Sequence, residues 1–208
     1  MGIGVIAYGK LGGFELSYTS DLDIVFVHNV DSEIMTQGGQ KSVSAQQFYI
    51  KLIQRVVNLA GTNSLLGDES LYQRFNDIRT GIITQTREPE KLLNDVGNMR
   101  QKMRDHLGDK DKGSLADIEF LTQYWCLLYA STQPQIVEYS DNLRQLAALK
   151  DANLIPEQDV EELINAYLHL RHYKHHEALH RAKLDKAPFY EQVKAQVQKI
   201  WARTFEKS

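Results

Sequence analysis

Apolar positions cluster densely near the start of the chain and then settle into helical spacing for the rest of it. Gly4-Val-Ile-Ala-Tyr8 reads as a short strand running into a turn at Gly9–Gly13. Leu22-Asp23-Ile24-Val25-Phe26-Val27 is apolar and β-branched, the pattern of a buried strand. Asn29–Lys41 is polar, holds Gly38-Gly39 and reads as a loop. From Ser44 the apolar residues Phe48, Leu52, Val56 and Leu59 recur at helical spacing until Gly61, and Thr62–Asp68 forms a junction.

Beyond the junction the pattern is helical throughout. Pro89 opens a helix whose stripe is Leu92, Val96, Met99 and Met103, with Gly108 just past its end. After a charged loop at Asp109–Gly113, Ser114-x-x-Asp117 fits an N-terminal cap for a helix carrying Ile118, Leu121, Trp125 and Leu128. Asp117 is accounted for as part of that cap, and Glu119 with Gln123 one turn on as a buried polar pair. Ser140 is placed to cap another helix, and Pro156 to begin one running to about Arg181. A last helix spans Phe189–Phe205 on Val193, Val197, Ile200 and Trp201. The expected fold is α+β and mostly α: a small αβ piece over residues 1–66, then a helical bundle over 67–208.

The strand reading is what gives the N-terminal piece its chemistry. Side chains alternate across a strand, so Asp21 and Asp23 project to one side a few ångströms apart. Carboxylates that close repel each other unless a cation lies between them. Gly12 and Gly13, eight residues earlier, let backbone N–H groups approach phosphates. The combination suits a Mg²⁺–nucleotide site, with Asp21 and Asp23 as metal ligands and Lys10 and Ser20 as auxiliary phosphate contacts.

Composition narrows the setting. The 208 residues, 42% hydrophobic and 25% charged, have the make-up of a globular protein. A net charge of −3 gives no reason to expect nucleic acid as a partner. No apolar run approaches the ~20 residues of a membrane span, so no membrane partner is expected. The single cysteine, Cys126, lies in an apolar helical run and reads as a buried, inert thiol; a reducing cytoplasm fits. His172, His176 and His180 follow one another at every fourth residue, but Lys174, Glu177 and Arg181 among them mark a solvated helix side rather than a zinc site.

The stretch GKLGGFELSYTSDLDIVFV (residues 9–27) resembles the signature of bacterial glutamine synthetase adenylyltransferase, in the polymerase-β-like nucleotidyltransferase superfamily. The resemblance continues at NMRQKMRDHLG (98–108), GSLADIEFLTQYW (113–125), YSDNLRQL (139–146) and LRHYKHHEAL (170–179). It implies an enzyme that transfers AMP from ATP to a tyrosine of glutamine synthetase, with Mg²⁺ as cofactor and with glutamine synthetase and the PII signal protein as partners. Tyr8-Gly9-Lys10, Tyr18-Thr-Ser-Asp-Leu-Asp23 and Leu115-Ala-Asp-Ile-Glu-Phe120 look more like the adenylylating C-terminal half than the AMP-removing half.

One family feature has no counterpart. A third carboxylate, on a later strand in a stretch of the form VD-x-RLRP-x-G, would follow the helix at Val43–Ala60; here Gly61-Thr-Asn-Ser64 passes directly into Leu65-Leu-Gly-Asp68. The expected sheet is therefore incomplete, as in an internally deleted or truncated form. A catalytically inactive, nucleotide- or partner-binding remnant and the phosphorolytic, AMP-removing activity are the alternatives.

Overall fold

A computed structural model of the chain describes residues 3–7, 24–31, 34–38, 42–59, 69–107, 113–180 and 188–206. Among these, strands β1 (Ile3–Ala7) and β2 (Ile24–His28) are followed by seven α-helices. They are α1 (Ala45–Leu59), α2 (Glu69–Ile83), α3 (Pro89–Leu107), α4 (Leu115–Tyr129), α5 (Asn142–Asp151), α6 (Glu157–His180) and α7 (Pro188–Phe205). A 3₁₀ turn at Pro134–Val137 joins α4 to α5. The fold is α+β and mostly α. The described residues up to Arg79 form one compact unit and those from Thr80 onward a second.

In the first unit, β1 and β2 pair antiparallel, from Ile3 opposite His28 to Ala7 opposite Ile24. Gly4 lets this ladder receive α2: a Cβ there would lie 3.0 Å from Val27 and 3.7 Å from the Cβ of Leu71. His28 stacks on Tyr49 of α1, with ring centroids 4.9 Å apart. The polar segment after β2 is more ordered than a plain loop. Met35 bridges Ser44, and Thr36 N–H donates to the Val43 carbonyl at 2.9 Å.

Two expectations for this unit need correction. The apolar run of β2 is not fully buried at any described position, and Val25 stays 45% exposed. A strand is covered on both faces only inside a layered sheet, and among the described residues this sheet has two strands. Phe48, placed by its spacing in the apolar stripe of α1, is likewise exposed.

The second unit holds the larger core. Ile118, Leu121, Trp125 and Cys126 of α4 meet Leu146 and Leu149 of α5, Val160, Leu163 and Tyr167 of α6, and Val193, Val197, Ile200 and Trp201 of α7. The stripes read for α4 and α7 therefore do line a core, and Cys126 is buried. Phe205 closes one end, 4.3 Å from Trp201 and 5.0 Å from Tyr124 between ring centroids. Burial raises the pKa of the Tyr124 hydroxyl, with a smaller contribution from Tyr129. Arg87 ends α2 by donating to the carbonyls of Ile82 and Ile83, the orphan acceptors of its last turn.

On α3 the buried face differs from the expected one. Met99 is 61% exposed and Met103 also faces solvent, while Arg100 and Arg104 turn inward beside Leu92. Apolar spacing misplaced the stripe because two guanidinium groups enter the core with a carboxylate partner on the next helix. Helix starts shift as well. Asp141 rather than Ser140 caps α5, accepting from the Arg144 N–H at 2.9 Å. Gln123 is exposed, so Glu119 and Gln123 do not form a buried pair.

The turn before α4 requires glycine. Gly113 has φ +69°, and a Cβ there would fall 2.3 Å from the Lys194 carbonyl oxygen on α7. Gly113→Ala should therefore cost at least about 1–3 kcal/mol in urea unfolding, combining a left-handed backbone with a backbone clash. A loss below half a kcal/mol, roughly the size of an ordinary surface substitution, would contradict this packing.

Candidate nucleotide site

Lys10, Gly12, Gly13, Ser20, Asp21 and Asp23 all belong to the segment that connects β1 to β2, and all six lie outside the described residues. What the structure supplies is the frame at the ends of that segment. Ala7 pairs with Ile24, so residue 8 leaves and residue 23 returns at the same end of one antiparallel ladder. Asp23 is the residue immediately before β2, and Asp21 stands two positions earlier. The strand assigned to Asp21–Val27 is described from Ile24 to His28.

By chemistry alone, two carboxylates at alternate positions, eight residues after a glycine pair in sequence, are hard oxygen donors of the kind magnesium takes. Among the described residues no group of three or more His, Cys, Asp or Glu side chains could hold a metal. His172 and His176 on α6 have ring centroids 6.3 Å apart. Where the family's third carboxylate would follow, the nearest acidic residues are Asp68, outside the described residues, and Glu69, which opens helix α2 rather than lying on a strand.

Sequence reasoning missed one polar centre, at Asp117. Its side chain, in the first turn of α4, is completely buried and is not the helix N-cap. Oδ1 accepts from Arg100 Nε at 2.7 Å and from Arg104 Nη2 at 2.8 Å, and Oδ2 accepts from the Gly113 N–H at 2.6 Å. Ser114 occupies the N-cap position but makes no side-chain cap; its hydroxyl receives Arg100 Nη2 at 3.3 Å. The hub ties α3, the 113–114 turn and α4 together, and Arg104 continues it by lying over Trp201 of α7 at 4.6 Å. The signal was available in Arg100 and Arg104, four residues apart on one helical face and so able to share one partner.

Two families match the chain. Residues 1–74, which include β1, β2 and the whole segment between them, match glutamate-ammonia ligase adenylyltransferase. Residues 109–196, which include α4, α5 and α6, match GlnD PII-uridylyltransferase. Both descriptions name nucleotidyltransferases, so the class to which both parts of the chain are similar is the nucleotidyltransferases. The more particular likeness of the part holding Gly12-Gly13 and Asp21-x-Asp23 is to the adenylyltransferase of glutamate-ammonia ligase, which is glutamine synthetase. No described helix is long and apolar enough to cross a membrane.

Proposed function

We propose that the chain is a nucleotidyltransferase module that transfers AMP from ATP to a tyrosine hydroxyl of glutamine synthetase, as the adenylylating half of such an enzyme does. The observation that carries this reading is the match over residues 1–74, with both strands that bracket the Gly12-Gly13 and Asp21-x-Asp23 segment formed and paired.

In this reading Asp21 and Asp23 would hold Mg²⁺. Bound magnesium would supply charge neutralisation on the phosphates. Gly12 and Gly13 bring backbone N–H groups to phosphate oxygens, and Lys10 and Ser20 add a cation and a hydroxyl. The tyrosine oxygen forms a bond to the α-phosphorus, the bond from that phosphorus to the β-bridging oxygen breaks, and pyrophosphate leaves as the phenolic proton passes to water. The helical unit from Thr80 onward offers the surface for glutamine synthetase or PII. The setting is the cytoplasm, where a lone buried thiol such as Cys126 fits a reducing environment.

A second reading, a binding module that transfers nothing, is favoured by one feature. Among the described residues β2 pairs with β1 alone, as in a sheet that lacks the strand carrying a third carboxylate. Incubating the protein with α-labelled ATP, Mg²⁺ and glutamine synthetase separates the two. Label on the synthetase supports transfer; nucleotide bound without label on the synthetase supports the binding module. Release of label from pre-adenylylated synthetase with phosphate would instead assign the phosphorolytic reaction.

A further inference from the structure

The C-terminal half of α6 brings His169, His172, His175 and His176 into its last turns. Two of these rings are paired. His172 and His176 stand one helical turn apart, with ring centroids 6.3 Å apart and planes inclined by 51°. On one cation, nitrogen–metal bonds of about 2.0–2.1 Å hold two imidazole centroids roughly 4.5–5 Å apart. His172 is exposed, so rotation about its side-chain bonds closes the remaining gap without moving the backbone. The Nδ1 of His176 is buried, which leaves Nε2 as its nitrogen for a cation.

The neighbours define which cation suits the pair. His169, three residues before His172, is held elsewhere: its Nδ1 lies 2.7 Å from the Asn165 carbonyl oxygen, and its ring makes a T-shaped contact with Phe189 at 4.9 Å. Leu168, one turn before His172, is apolar and exposed. Two protein ligands are too few for a structural zinc, which takes four. The solvated helix side read from the sequence is therefore compatible with a more open shell that water completes. Arg171 and Lys174 flank the pair in sequence against Glu177, so net charge does not draw a cation here. Retention then rests on the metal–imidazole bond, which follows the Irving–Williams order and is strongest for Cu²⁺. Magnesium, which takes oxygen ligands, is a poor competitor.

We propose that His172 and His176 form a two-imidazole chelate for a divalent transition-metal cation, Cu²⁺ in preference to Ni²⁺ or Zn²⁺. The site is separate from the Asp21-x-Asp23 reading in both residues and donor chemistry, nitrogen here and oxygen there. A cation bridging residues one turn apart also ties down the end of α6, because metal binding and helix formation are coupled.

The test is calorimetric titration of the full chain with CuCl₂, NiCl₂ and ZnCl₂ in excess Mg²⁺, above the imidazole pKa of about 6.5 so that the rings are neutral. The tightest step should take one Cu²⁺ per chain, at least about tenfold more tightly than Ni²⁺ or Zn²⁺. Electron paramagnetic resonance of that complex should show imidazole nitrogen ligands. His172→Gln and His176→Gln should each weaken the step by at least about tenfold, since each leaves a single ligand of the chelate. His169→Gln should leave it unchanged. His172 is exposed, so its variant keeps the fold, which circular dichroism without metal verifies. The proposal is overturned by the absence of a saturable one-to-one Cu²⁺ step, by tighter binding of Zn²⁺, by native affinity in His172→Gln, or by an equal loss in His169→Gln.

Discussion

Asp117→Ala should destabilise the helical unit by about 3–5 kcal/mol, the loss typical when one partner of a buried ion pair is removed. The carboxylate is fully buried and is the shared acceptor of Arg100, Arg104 and the Gly113 N–H. Its removal strands two guanidinium groups inside the protein and frees the turn that fits against Lys194. Urea unfolding followed by circular dichroism at one pH gives the number. The mechanism has its own control: Asp117→Leu combined with Arg100→Met and Arg104→Met removes all three charges together and should recover much of the loss, because apolar replacement of a whole buried ion cluster is often neutral. A loss below about 1 kcal/mol for Asp117→Ala, in the range of a single ordinary hydrogen bond, would show that the hub holds little.

The largest functional effect is expected at the other end of the chain. Asp21→Asn with Asp23→Asn keeps side-chain size and hydrogen-bonding capacity but removes both negative charges. If these carboxylates hold magnesium on a triphosphate, label transfer from ATP to glutamine synthetase should fall at least about a hundredfold, the scale for losing a preorganised charge-stabilising group. The fold should survive, since the described core of the helical unit uses neither residue. The melting temperature should hold or rise slightly as the repulsion between the two carboxylates disappears. Unchanged transfer with an unchanged melting temperature would remove Asp21 and Asp23 from the chemistry.

Helix existence was legible in the sequence wherever one face is purely apolar. Ile118, Leu121 and Trp125 on α4, and Val193, Val197, Ile200 and Trp201 on α7, have the period that burial demands, and they are buried. The same rule failed on α3, because hydropathy counts Arg100 and Arg104 as solvent-facing and cannot see a carboxylate thirteen or more residues away. It failed on β2 for a different reason. An apolar β-branched run reports what a strand can bury, whereas actual burial depends on how many layers and neighbouring strands cover it. Capping assignments slipped by a residue at α5, where Ser140 and Asp141 are both good cap residues and only the geometry chooses between them.

The candidate nucleotide site stands on its motif alone, since its six residues lie outside the described ones. Gly-Gly and Asp-x-Asp carry their chemistry in residue type and spacing, and residues 1–74 match a family of adenylyltransferases. The Asp117 hub was legible only in part, since every one of its residues belongs to a quoted motif yet none of the motifs states who pairs with whom. Long-range pairing is a property of the fold, and sequence spacing reaches it only where both partners share one helix.

Calorimetric titration of ATP into the protein, with Mg²⁺ and then with a chelator in its place, tests the central claim most directly when it is repeated on the Asp21→Asn, Asp23→Asn variant. Saturable binding that needs magnesium is expected in the native protein, and no magnesium-dependent binding in the variant. Equal binding by the two proteins, or binding indifferent to magnesium, would contradict it.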